Sequence, residues 1–200
     1  MDCLPVSMVD TEIDYDSLTS AGAIMGSGGL VVLSDDTCMV EIARYFLEFT
    51  QRESCGKCVP CRLGTQQMLL ILDDILQGKG SPGDVETLHE VAEAVKAASL
   101  CGLGQTAPNP VLTTLKYFRE EYVEHIRGRC PVAYCRELMH YFIDGGRCTG
   151  CMACLKACPN NAIVGVKDEV HFIDQGKCLK CGSCMDVCKE GAILKVPGPG

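Results

Sequence analysis

The sequence predicts an α+β chain in two parts: a four-helix bundle, then a small duplicated unit of short strands and helices. Two observations predict it. Between residues 37 and 122 apolar side chains recur at helical spacing, punctuated by glycine and proline. From residue 145 to 200 the chain repeats itself after 30 positions, with Gly146 falling on Gly176, Ala162-Ile163 on Ala192-Ile193 and Val166 on Val196. In the first helix, over 37–52, Met39, Ala43, Phe46 and Leu47 share one face and Glu41, Arg44, Glu48 and Arg52 the other, after an Asp35-Asp36-Thr37 start suited to an N-cap. From Arg62 to Gln77 apolar residues lie nearly all round, which predicts the buried helix, stopped by Gly78 to Gly80. Ser81-Pro82-Gly83-Asp84 reads as a cap and first turn for Val85, Leu88, Val91, Ala92 and Val95. Pro110 opens the fourth helix, with Leu112, Leu115, Phe118 and Tyr122 as its core stripe. Ahead of them Leu30 to Leu33 reads as a short strand. The glycine-rich stretch before it, 25–29, precedes a strand and lacks the Lys-Ser/Thr of a phosphate loop, so it reads as a tight turn.

Composition narrows the function classes. With 47% apolar and 22% charged residues the chain is globular, and the apolar run Met68 to Leu72 falls far short of the roughly 18 residues a membrane span needs. No basic, apolar leader opens the sequence, so a soluble, cytoplasmic protein is expected. A net charge of -8 with no basic block argues against nucleic acid or anionic membrane as the main partner. Sixteen cysteines without an export signal point to metal ligands rather than disulfides.

Eight of those cysteines form the repeat, each copy reading C-x2-C-x2-C-x3-C, the first closed by Pro159. That is the run of bacterial two-cluster 4Fe-4S ferredoxins, in which the fourth cysteine ligates the other copy's cluster. Three thiolates on a tight loop meet three corners of a cube, and the fourth corner comes from elsewhere. One cluster would then take Cys148, Cys151, Cys154 and Cys188, and the other Cys178, Cys181, Cys184 and Cys158, in a βαββαβ-type domain. Paired zinc ribbons are the competing reading, but they use C-x2-C pairs rather than such triplets. A third triplet, Cys55, Cys58 and Cys61, has the same spacing and no fourth cysteine close behind. Cys101, 39 residues on and followed by Gly102 and Gly104, is its distant partner.

The segments SCGKCVPCR, LCGLG and SGGLVVLSDDTCMVEIARYFLEF resemble the C-terminal helical domain of the NADH-binding flavoprotein subunit of complex I. The resemblance implies that Cys55, Cys58, Cys61 and Cys101 hold a 4Fe-4S cluster that accepts electrons from FMN. A ferredoxin domain behind it resembles the beta-type subunit of NAD(P)-dependent, often electron-bifurcating, FeFe hydrogenases and related formate dehydrogenases. That family's FMN- and NADH-binding domain should precede residues 3–5, and here only Met1-Asp2 stand there, so flavin and nicotinamide chemistry is expected outside this chain. The expected organisation is 1–34, the remnant of a β-grasp-like connecting region; 35–127, the helical cluster domain; 128–144, a linker; and 145–200, the ferredoxin domain. The expected function is electron transfer through three clusters, between a flavin/NAD(P)H site and ferredoxin or hydrogenase-type partner subunits. A stand-alone electron carrier and a structural zinc module are the alternatives. No nucleophile is paired with a base, so any chemistry belongs to cofactors.

His125, Cys130, Cys135 and His140 recur at five-residue steps in the linker, enough for most of a tetrahedral zinc site. Buried free thiols are the bland alternative. The family resemblance favours His125 over His140, and Cys38, then Cys3, is the expected fourth ligand. His89 and His171, amid polar residues, read as solvated. Lys57 and Arg62 flank the first cluster, either favouring its reduced state or standing as plain exposed charges. Lys156, Lys177, Lys180 and Lys189 read as a docking patch or as scattered surface lysine.

Overall fold

The computed structural model describes residues 2–198, so the outer ends of the first and last expected segments, residue 1 and residues 199–200, lie outside it. The chain divides into two units, Met1–Val132 and Ala133–Gly200.

The first unit is helical: α1 (Tyr15–Ala21), α2 (Met39–Arg52), α3 (Thr65–Leu76), α4 (Asp84–Ala98), α5 (Gly102–Thr106), α6 (Asn109–Tyr117) and α7 (Arg119–Ile126), with a π-helical turn, Pro60–Gly64, running into α3. Its core gathers Val40 and Leu47 of α2, Met68, Leu72 and Ile75 of α3, Leu88 and Val95 of α4, Val111 of α6 and Tyr122 of α7, each at most 2% exposed. Burying such side chains contributes about 1.5–3 kcal/mol apiece. The expected fourth helix is two. Thr113 and Thr114 turn their hydroxyls onto the Asn109 and Pro110 carbonyls, and Phe118 leaves helical geometry at φ -130°. The chain then turns back so that Tyr122 Oη meets Thr114 Oγ1 at 2.7 Å.

One expectation from the amino-terminal region needs correction. Leu30 to Leu33 form no strand; they are irregular, and Leu30, Val31 and Val32 are 70–87% exposed. A β-propensity run becomes a strand only with a ladder partner, and among the described residues of this unit none pairs with it. Helix α1 was not anticipated, although Asp14 caps it through the Ser17 amide at 2.7 Å and Gly22 closes it in left-handed geometry. Its sparse apolar content concealed it.

The second unit runs β1 (Met139–Ile143), α8 (Ala153–Ala157), β2 (Ile163–Val164), β3 (Phe172–Ile173), α9 (Ser183–Asp186) and β4 (Ile193–Pro197). Strands β1 and β4 pair antiparallel from Met139↔Pro197 to Ile143↔Ile193, and β2 and β3 pair through Ile163↔Ile173. The 30-residue repeat becomes a structural one: Asp144 N bonds Ala192 O at 2.8 Å and Asp174 N bonds Ala162 O at 2.7 Å. Two-stranded ribbons are marginal alone. Here Met139, Tyr141, Ile143, Ile163 and Ile193 bury one face of each against Cys154 and Cys184.

Candidate iron–sulfur and metal sites

Cys61 sits buried in the π-helical turn, its carbonyl taking the Thr65 hydroxyl at 2.6 Å. Cys101 caps the start of α5. The two segments meet at Gly104, where a Cβ would stand 2.6 Å from Ser99 Cβ and 3.2 Å from Cys61 Cβ. Only glycine permits that approach. The Leu100 amide, then hydrogen bonds from around Cys61 and Ser99, holds the Cys58 thiol below its ordinary pKa. The 99–101 loop and the Cys58 turn thus share one small volume, and a thiolate is favoured there. Cys55 and Cys101 are the exposed pair, Cys61 the buried one. Ser54 Oγ lies 3.3 Å from Cys61 Sγ, and Arg62 Nη1 donates to the Gly56 carbonyl at 2.7 Å, tying the loop. Lys57 and Arg62 are both exposed.

In the second unit the cysteines line two cavities. One is walled by Cys158, Cys178, Cys181 and Cys184 with Tyr141, Ile163 and Ile173. The other is walled by Cys148, Cys151, Cys154 and Cys188 with Ile143, Ile193 and His171. Each holds three cysteines of one copy and the fourth of the other. Amides face the crossed-over sulfurs alike, Ala162 N to Cys158 Sγ at 3.2 Å and Ala192 N to Cys188 Sγ at 3.3 Å. Such donors stabilise negative charge on sulfur. Ser183 holds the exposed Cys181 thiol low, whereas burial pushes Cys184 up to about 11 in the metal-free protein. His171 contradicts its reading as a solvated side chain: it is 1% exposed, with Nδ1 3.3 Å from Cys154 Sγ. The polar residues beside it in sequence do not surround it in space. His89 is exposed.

A His/Cys group occupies the first unit. The sulfurs of Cys38 and Cys130 and a ring nitrogen of His125 lie within 4.8 Å of one another, all buried. Cys38, the N-cap of α2, brings Sγ to 3.2 Å from His125 Nε2. His125 Nδ1 lies 2.6 Å from the Glu121 carbonyl one turn back, which places a hydrogen on Nδ1 and aims Nε2 at the sulfurs. The Glu121 carboxylate accepts the Met39 amide at 3.0 Å, so one residue orients both His125 and the Cys38 helix start. Nothing in the sequence marked Glu121 for that role. Burial opposes a charge on His125, but hydrogen bonds with Cys130 and Cys38 outweigh it and carry the pKa up to about 10. Cys135 is buried where the second unit begins, and His140 lies in β1 with Nδ1 on the Gly198 carbonyl at 2.9 Å. Cys3 is buried and gives its amide to Thr113 Oγ1 at 3.0 Å.

Helices ending in cysteine loops, followed by a duplicated two-cavity unit, define an iron–sulfur protein of the electron-transfer class. Residues 41–125 match the NADH-ubiquinone oxidoreductase-F iron-sulfur binding region, and residues 147–192 match the 4Fe-4S dicluster domain. The chain carries both, as its resemblance to complex I flavoprotein and hydrogenase subunits implied. It is 47% identical over 164 residues to the NADP-reducing hydrogenase subunit HndC of Solidesulfovibrio fructosivorans, covering 82% of this chain and 34% of that protein. It is 43% identical over 124 residues to the F-type subunit of NADH-quinone oxidoreductase of Streptomyces coelicolor, covering 62% and 28%. The chain thus spans about a third of the length of these relatives. A crystal structure of an NAD+-reducing [NiFe]-hydrogenase in the H2-reduced state aligns with 48% of this chain and 16% of its own, at 36% identity and TM-score 0.46. Among the described residues no helix is long and apolar enough to cross a membrane.

Proposed function

We propose that this chain relays electrons through three 4Fe-4S clusters and is pinned by one zinc ion. Cys55, Cys58, Cys61 and Cys101 hold the first cluster; Cys148, Cys151, Cys154 and Cys188 the second; Cys158, Cys178, Cys181 and Cys184 the third. The observation that carries the reading is the sorting of eight cysteines into two cavities, each closed by the other repeat's fourth cysteine. The residues fit the group: four sulfurs per cavity, apolar walls, and amides aimed at sulfur. A 4Fe-4S cluster seated there takes up and returns single electrons. The protein's part is to hold thiolates, exclude water with Ile143, Ile163, Ile173 and Ile193, and set local charge.

For zinc, a tetrahedron with Zn–N near 2.0 Å and Zn–S near 2.3 Å has edges of about 3.5–3.8 Å, and Cys38, His125 and Cys130 are already gathered on that scale. Cys135 is the fourth ligand in this reading; five residues beyond Cys130, it is tethered closely enough to reach the same ion. The electrons come from a flavin reduced by NAD(P)H outside this chain and pass to or from ferredoxin or hydrogenase-type partner subunits in the cytoplasm. The resemblance to HndC and to the NADH-quinone oxidoreductase relative supports that reading. Lys156, Lys177 and Lys189 are exposed and available to a redox partner, together with half-buried Lys180. An anaerobic count should find about 12 iron, 12 sulfide and one zinc per chain. Several zinc ions and no sulfide in a freshly reconstituted sample would replace the relay with a zinc-stapled scaffold.

A further inference from the structure

The second unit repeats itself after 30 residues, yet the repeat is broken at one place beside the cysteines. Position 141 in the first copy corresponds to position 171 in the second, and Cys154 to Cys184. Tyr141 lines the cavity of Cys158, Cys178, Cys181 and Cys184; His171 lines the cavity of Cys148, Cys151, Cys154 and Cys188. The tyrosine hydroxyl stands near Gly182, 3.0 Å from where a Cβ there would lie. The histidine instead brings Nδ1 to 3.3 Å from Cys154 Sγ, with Nε2 3.3 Å from the Val166 carbonyl.

The seat for that ring is built. His171 is 1% exposed. Its neighbour Gly165 has no side chain, and a Cβ there would overlap the ring at Cδ2 and approach Cγ at 2.9 Å. A ligating Cys154 is a thiolate with no hydrogen to give, so both ring nitrogens face acceptors and a hydrogen on Nδ1 has the sulfur as its partner. Reduction adds negative charge to the cluster and its sulfurs, and a donor on one of those sulfurs stabilises the reduced form more than the oxidised one.

We propose that His171, as a positioning residue acting through Cys154, sets the cluster of Cys148, Cys151, Cys154 and Cys188 at a more positive reduction potential than its pseudo-symmetric partner. The two ferredoxin-type clusters are therefore unequal, and the difference is written into one side chain. This inference rests on the cluster reading above.

The test is an anaerobic redox titration of the full chain followed by electron paramagnetic resonance, with iron and sulfide counted on the same samples. His171→Phe should move one wave negative by about tenfold in the reduction equilibrium, which is ~59 mV for one electron, and leave the other waves in place. Gly165→Ala, which displaces the ring without removing it, should move the same wave in the same direction. Tyr141→His, which places a donor in the other half, should move a different wave positive. Unmoved waves in a fully loaded His171→Phe chain, or waves that all move together, overturn the proposal. Should His171→Phe fail to load iron, the other two variants decide: no shift in either overturns it. Wild-type chain with little iron or sulfide sinks the cluster reading instead, so the two failures are distinguishable.

Discussion

Gly64, in the π-helical turn that carries Cys61, packs against α4 with no room for a side chain. A Cβ at position 64 would overlap Val95 Cγ2 while standing 3.6 Å, ordinary contact, from Val95 Cβ. Val95 is 2% exposed and stiff at χ1, so its methyl has nowhere to turn. Gly64→Ala alone should cost about 1–3 kcal/mol from overpacking, offset by about 1 kcal/mol of helix preference for alanine. Val95→Ala alone removes two buried methyl groups, about 0.8 kcal/mol each by transfer, and the cavity left behind brings the loss to roughly 2–3 kcal/mol. In the double variant the new methyl occupies the space Cγ2 vacated. Its cost should therefore fall short of the sum by about 1–2 kcal/mol. Urea midpoints of the anaerobic, iron-loaded chain at constant m-value read the four corners of the cycle. Single costs that add to within about 0.5 kcal/mol would refute the packing argument. If they couple as expected, iron content should follow, falling in Gly64→Ala and recovering in the double variant, because Cys61 rides on the same turn.

Three further outcomes are expected. Cys130→Ser should abolish the single zinc while leaving about 12 iron per chain, measured by elemental analysis; equal loss of iron would show that the two kinds of site are not separate. Glu121→Ala should weaken zinc by about 10–100-fold in competition with a chelator, since it removes the carboxylate that holds the Met39 amide beside Cys38 while leaving the backbone carbonyl on His125 Nδ1 in place. Asp14 has its pKa lowered first by the Ser17 amide and then by the Ser17 hydroxyl. The stability it lends α1 is thus fully present above the ordinary value of 3.8 and lost as pH falls through the lower folded value. Asp14→Ala should speed amide exchange across Tyr15–Ala21 at pH 7, and a chain indifferent to that change would remove the cap from the account.

How much was legible depended on whether the signal was local. The helical stripes of α2, α3 and α4 were readable because each face is encoded within one segment, and Gly78 and the Ser81-Pro82 turn announce the breaks. The division of the fourth helix was not, because α6 ends where Phe118 leaves helical geometry, and Tyr122 beyond it is held by the Thr114 hydroxyl eight residues away. The strand expected at Leu30 to Leu33 failed for the opposite reason: propensity is local, but a strand needs a partner. His171 was misread because its sequence neighbours are polar, whereas its spatial neighbours are Cys154, seventeen residues upstream, and the bare backbone of Gly165.

What the sequence by itself determined is the iron–sulfur class: the cysteine spacing pointed to it without coordinates, and both iron–sulfur domain matches agree. The 30-residue repeat likewise announced which cysteines are equivalent. Only the tertiary structure decided what surrounds the sulfurs. It brought the Cys58 turn to the loop before Cys101, placed Glu121 behind both Cys38 and His125, and put a histidine beside one cavity and a tyrosine beside its twin. The reason is physical. The cysteine motifs lie in local spacing, but the hydrogen bonds, burial and charge around a sulfur act across space, from residues the chain places far away in number.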